Sequence, residues 1–158
     1  MDAPRFIADQ NVGGLARRLR MLGLDTLFFE GTDDAEMAQS ALDEVKAILT
    51  RDTHIMERKI VTSGRLKAIL LVSDRPEEQI CQVTKSLGLK DSFCPFTLCI
   101  EDNYPLEERS KEAVRDRVPP YVFKTQQRYT ECPHCHRIYW RGTHWQAMSV
   151  KLEKLAGC

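Results

Sequence analysis

The sequence predicts an α/β fold, a parallel sheet flanked by helices, with a small cysteine-bearing module after it. Three observations predict this. Short, continuous apolar runs alternate with helical periodicity up to about Asp91. Such runs mark strands buried on both faces, as in parallel sheets covered by helices. Beyond Asp91 the periodicity stops, and Phe93 to Trp145 holds both tryptophans and four of the six cysteines. That composition suits a loop-rich module held by something other than a large core.

The elements follow in order. Phe6-Ile7-Ala8 is a strand ending in Asp9. Leu15, Leu19 and Leu22 then recur at i, i+4 and i+7, a helix that Gly23 stops. Leu27-Phe28-Phe29 reads as the second strand. Asp33 or Asp34 caps a helix running to about Val45. Ala47 to Thr50 is the third strand, ending at Arg51-Asp52, and His54 to Ser63 is a short helix closed by Gly64. Ala68 to Val72 is the clearest strand and ends at Ser73-Asp74. Pro76 suits the first turn of a helix running to Leu87, with Gly88 after it. The expected division is residues 1–91, 92–146 and a terminal helix or tail at 147–158.

The chain has 158 residues, with 23 basic and 23 acidic side chains. No apolar run reaches the roughly 18 residues a membrane span needs. Met1 to Asp9 lacks a basic segment followed by an apolar stretch, so no secretory leader is expected. An intracellular, reducing compartment, cytoplasmic or nuclear, follows as an expectation. Residues 1–103 carry 13 bases and 17 acids, and residues 104–158 carry 10 and 6. An acidic body suits metal ions and a basic tail suits a polyanion.

Asp9, Asp52 and Asp74 each follow a predicted strand. In open parallel sheets ligands bind at the carboxyl ends of the strands, so the three converge on one rim. Asp33, Asp34 and Glu36 begin the second helix on the same side. Gathered carboxylates repel unless a cation sits among them, and oxygen donors suit Mg2+ or Mn2+. Such ions activate water for phosphodiester cleavage. Arg17, Arg18, Arg20 and Arg51 are placed to hold a phosphate backbone. Val12-Gly13-Gly14 lacks the spacing of a dinucleotide-binding loop.

Cys132-Pro133-His134-Cys135 is a C-x-x-C knuckle, half of a tetrahedral zinc site. Cys94 and Cys99 are upstream candidates for the other half. Cys81 falls in a helix and is assigned to the core, and Cys158 is terminal. In Tyr139 to Trp145, Trp140 reads as packing, while Arg141 and His144 stay open between packing and contact with the bases and phosphates of a nucleic acid.

Taken together, the chain resembles the Mut-seven C-terminal RNase domain family over roughly residues 5 to 146. The resemblance rests on Phe6-Ile7-Ala8-Asp9, Leu15 to Arg20, Leu22-Gly23, Asp25-Thr26, Asp33 to Glu36, Leu49 to Asp52, Ser73-Asp74 and Glu78-Gln79. It continues through Ser110 to Val114, Val118 to Val122, Cys132 to Cys135 and Tyr139 to Trp145. It implies a PIN-like nuclease fold with a C-terminal zinc ribbon, and a metal-dependent ribonuclease, an endonuclease, using Mg2+ or Mn2+ with a structural Zn2+. By position it puts the catalytic acids at Asp9, Asp52 and Asp74, with Asp34 or Glu36 at the helix start. The family's first knuckle is C-x-x-C followed by Asn. Here Cys99 matches its first ligand, but Asp102 stands at the second, before Asn103. The expected ligands are Cys99, Cys132 and Cys135, with Asp102 or Cys94 as the fourth. RNA, single-stranded or structured, is the expected partner, with no membrane, and no feature points to a protein partner. The alternative is a non-catalytic RNA-binding module that keeps the nuclease fold.

Overall fold

The computed structural model describes residues 3–157. Four short parallel strands, β1 (Phe6–Ala8), β2 (Thr26–Phe28), β3 (Ala47–Thr50) and β4 (Ala68–Leu70), form a sheet in the order β2-β1-β3-β4. Phe6 is in register with both Thr26 and Ala47, and Ile48 with Ala68, so the carboxyl ends lie along one edge. Between and after the strands run α1 (Gly13–Met21), α2 (Asp34–Asp43), the one-turn helices α3 (Thr53–Met56) and α4 (Lys59–Thr62), and α5 (Pro76–Leu87).

Alternation along each strand feeds two cores. Phe6, Ala8, Ala47 and Leu49 meet Leu15, Ala16 and Leu19 of α1 and Ile80 and Val83 of α5. Ile7 and Ile48 point the other way, against Met37, Ala38 and Ala41 of α2 and Ile55 of α3. Each fully buried Leu or Ile removes apolar surface worth roughly 1.5–3 kcal/mol. Both faces are therefore covered, as the unbroken apolar strands predicted.

Local chemistry sets the boundaries. The Asp33 carboxylate caps α2 by accepting from the N–H groups of Ala35 at 2.8 Å and Glu36 at 3.3 Å. Pro76 opens α5 and Gly88, at φ +61°, closes it. The helix expected over His54–Ser63 is broken at Glu57-Arg58 into α3 and α4. The α2 helix stops at Asp43, short of Val45, which takes φ +55°.

A second, antiparallel sheet of order β5-β6-β7 comprises β5 (Glu107–Arg109), β6 (Tyr129–Glu131) and β7 (Ile138–Tyr139). Its own small core joins Val114, Val118 and Tyr129 to Val122 and Phe123 of α6 (Pro120–Thr125), with Ile138 and Trp140. The last helix, α7 (Thr143–Ala156), starts four residues before the expected 147 and packs on α5. It carries Leu152, Ala156 and Trp145 into the core of the first sheet. Cys81 is half-buried in α5, and Cys158 lies outside the described residues.

Several contacts sew body and module together, three of them at buried or backbone groups. Gly23 sits at φ +81°, and a Cβ there would stand 2.1 Å from the carbonyl oxygen of Cys94. That close approach lets the Cys94 N–H reach the Leu22 carbonyl at 2.8 Å. Asn103 accepts from the Thr26 N–H at 3.0 Å and donates to Asp25 at 2.8 Å. Arg20 provides the third. Among the described residues, no helix is long and apolar enough to cross a membrane.

Candidate functional site

Asp9 and Asp52 follow β1 and β3 closely, but β4 ends at Leu70 and not at the expected Val72, which is exposed, so Asp74 lies four residues past its strand. Asp9 is 7% exposed. Its Oδ1 accepts from the Gln10 N–H at 2.8 Å, and its Oδ2 from the Thr50 hydroxyl at 2.8 Å and the Asn11 amide at 3.3 Å. The same Thr50 oxygen accepts from the Asp52 N–H at 3.0 Å. One side chain at the end of β3 thus fixes the carboxylate of Asp9 and the backbone of Asp52. The Asp52 carboxylate accepts from the His54 N–H at 2.9 Å and caps α3. Asp74 is exposed after β4, and Asp34 and Glu36 lie in the first turn of α2, half-buried and exposed.

Asp9, Asp52 and Asp74 form no ion pair with any described residue. No three acids of this rim bring their oxygens within 4.8 Å of one another. Among these acids, Asp9 and Asp52 are joined through Thr50.

The arginines divide. Arg51 is exposed and pairs with no described acid. Arg17 pairs with Glu101 at 2.6 Å and Arg18 with Glu77 at 3.6 Å, both at the surface. Arg20 is only 6% exposed. Its guanidinium donates to the carbonyls of Thr26, Ile100 and Glu101 at 2.8–2.9 Å. Placed in sequence among phosphate-binding arginines, it is instead a buried strut between body and module. Arg141 lies over the rings of Phe96 and Trp145, 5.0 and 5.7 Å from their centroids. His144 is exposed beside a 310 Å³ hollow that Trp140 and Trp145 also line. A larger hollow of 510 Å³ lies where α1 meets β7, lined by Arg17, Glu101, Arg117, Arg137, Tyr139 and Trp140.

The cysteines build a second centre. The ligand atoms of Cys99, Asp102, Cys132 and Cys135 all lie within 4.8 Å of one another. Cys94 is exposed and outside this group. The two loops are the same turn built twice. The N–H of Cys99 donates to Tyr104 O at 2.8 Å, and that of Cys132 to Arg137 O at 3.0 Å. The carbonyl of Cys99 accepts from Asn103 at 2.8 Å, and that of Cys132 from His136 at 2.9 Å. Asn103 and His136 both take φ +63°. Asp102 therefore occupies the place in its turn that Cys135 occupies in the other.

The donor set fits a metal such as zinc. Cys99 Sγ and Cys135 Sγ are 3.7 Å apart, and Cys132 Sγ and Asp102 Oδ2 3.8 Å. Zinc–sulfur bonds of about 2.3 Å in a tetrahedron require sulfurs about 3.8 Å apart. Burial pushes the Cys99 thiol up, but hydrogen bonds from the Tyr139 hydroxyl, the Asp102 and Glu101 N–H groups and Cys135 outweigh it and bring it down. Burial pushes Cys135 up to about 12, and the His134 hydrogen bond holds Asp102 below the usual carboxylate range. A cation entering here displaces the thiol protons.

A family model, the Mut7-C RNAse domain, matches residues 4–152. The chain belongs to the Mut7-C RNAse domain family. Comparison with curated proteins gives no match, and neither does comparison with solved structures. Membership in the Mut7-C RNAse family suggests a nuclease-like function and an RNA substrate.

In this Mut7-C chain, residue types alone passed over Thr50, Asn11 and His134. Thr50 carried a signal, a hydroxyl closing an otherwise apolar strand beside two aspartates. His134 carried none beyond its place inside the knuckle.

Proposed function

We propose that the chain is a metal-dependent ribonuclease of PIN-like fold that hydrolyses RNA phosphodiester bonds endonucleolytically. In this reading Asp9, Asp52 and Asp74 hold Mg2+ or Mn2+, and Asp34 or Glu36 adds a further acid from the start of α2. The observation that carries it is Asp9, a carboxylate almost wholly withdrawn from water that makes no ion pair with any described residue. Isolated buried charge is costly, and such groups are paired or coordinate metals. Thr50 and Asn11 leave Asp9 lone pairs for a cation and hold its plane fixed.

A divalent ion at this edge supplies an activated water and charge neutralisation at the scissile phosphate. The chain's own residues do the rest. Thr50 sets Asp9 and Asp52 in fixed relation, and Arg51, beside them and unpaired, is free to take a phosphate oxygen. Arg17 and Arg18 stand further along α1, and Arg141 and His144 beyond the ribbon, as contacts for the strand. Cys99, Asp102, Cys132 and Cys135 would hold a structural Zn2+ that ties the two turns of the ribbon to each other.

The test is cleavage of single-stranded RNA with Mn2+ or Mg2+. Wild-type protein is expected to cleave, and Asp9→Asn or Asp52→Asn to lose cleavage while still folding. Undiminished activity in both variants contradicts the mechanism. Salt-sensitive RNA binding without cleavage in either ion supports the non-catalytic alternative.

A further inference from the structure

The two metal-site turns share their backbone hydrogen bonds and the positive φ of Asn103 and His136, but one offers a carboxylate where the other offers a thiolate. A thiolate needs little guidance, because its one donor atom is fixed by χ1. A carboxylate has an extra torsion and two oxygens, so its productive orientation must be held by something else. Asp102 Oδ2 lies 3.0 Å from Nδ1 of His134. His134 belongs to the opposite turn, between Cys132 and Cys135. Its ring is itself held, stacked on Tyr104 at 4.7 Å between centroids with planes 4° apart. Tyr104 follows Asn103 directly, so each turn braces the other. The residue of the first turn equivalent to His134 is Glu101, and it points away to Arg17. Only the turn facing the carboxylate has this brace.

We propose that His134 is a positioning residue for the metal site: clamped on Tyr104, it holds the carboxylate of Asp102 as the fourth ligand, compensating for the missing thiolate. This rests on the reading of Cys99, Asp102, Cys132 and Cys135 as a metal site. Groups that orient a ligand from outside the coordination shell typically contribute roughly 10- to 100-fold in metal affinity.

The test is Co2+ titration of the full chain, followed by visible absorption and by competition with a chelator. His134→Ala is expected to weaken Co2+ binding roughly 10- to 100-fold. It should leave the thiolate charge-transfer and tetrahedral ligand-field bands in place, because the donors are unchanged. His134→Gln, which keeps a donor near the carboxylate, should recover part of the loss. In an Asp102→Cys background the His134→Ala change should have no effect, since nothing is left to orient. Equal affinity for wild type and His134→Ala overturns the proposal. So does an equal loss in both backgrounds, which marks a role in folding. A shift of the ligand-field bands in His134→Ala overturns it too, making His134 a ligand. Wild-type chain that takes up no Co2+ overturns the metal-site reading along with it.

Discussion

Thr50 and Arg20 show how single residues divide the work of the molecule. The Thr50 hydroxyl is shared between Asp9 and the Asp52 N–H. Thr50→Val is expected to destabilise by roughly 1–3 kcal/mol and to cut RNA cleavage more than its folding loss explains. Urea unfolding beside a cleavage assay separates the two. Arg20 holds the Thr26 carbonyl of its own body and those of Ile100 and Glu101 across the seam. Arg20→Met should therefore cost on the order of 3 kcal/mol in urea unfolding. RNA affinity of the folded fraction should be unchanged. Glu131 is a third case. The Arg117 hydrogen bond, then His136 and the charges of Arg117 and Arg109, hold its carboxyl down to about 2. A depressed carboxylate stabilises above its unfolded value and loses that contribution as pH falls through its folded value. Wild type should thus melt above Glu131→Gln at pH 7, with the gap closing between about pH 4.5 and pH 2.

At the scale of elements, the first sheet was legible because each strand is a short unbroken apolar run with a turn residue after it. The places of Asp9 and Asp52, after β1 and β3, were legible for the same reason. The ribbon was not. Its β5 is Glu107-Glu108-Arg109, with no apolar pattern, and it pairs with β6 because ion pairs and the neighbouring knuckle hold it there. The α7 helix looked like a tail because only Leu152 and Ala156 are deeply buried on it. Arg20 resembled its surface neighbours Arg17 and Arg18, since charge alone does not reveal which face of α1 meets the module. The seam also gives a prediction. Gly23→Ala places a side chain into the Cys94 carbonyl at positive φ, so it should destabilise by more than about 1 kcal/mol in urea unfolding.

For the whole molecule, two centres stand on two sheets, joined by Arg20, Asn103 and α7. Asp9 and Asp52 follow β1 and β3 of the parallel sheet, and three thiols with one carboxylate gather in the ribbon. The cysteine centre ties Cys99, beside the seam, to Cys132 and Cys135 across the ribbon, so metal removal should loosen both. The carboxylate edge is the central claim, and Mn2+ binding followed by electron paramagnetic resonance on the zinc-loaded chain tests it most directly. Wild type should bind Mn2+, with affinity falling roughly 100-fold or more in Asp9→Asn. Wild type that leaves Mn2+ free at millimolar concentration contradicts the claim, as does undiminished binding when Asp9 and Asp52 are both replaced by asparagine.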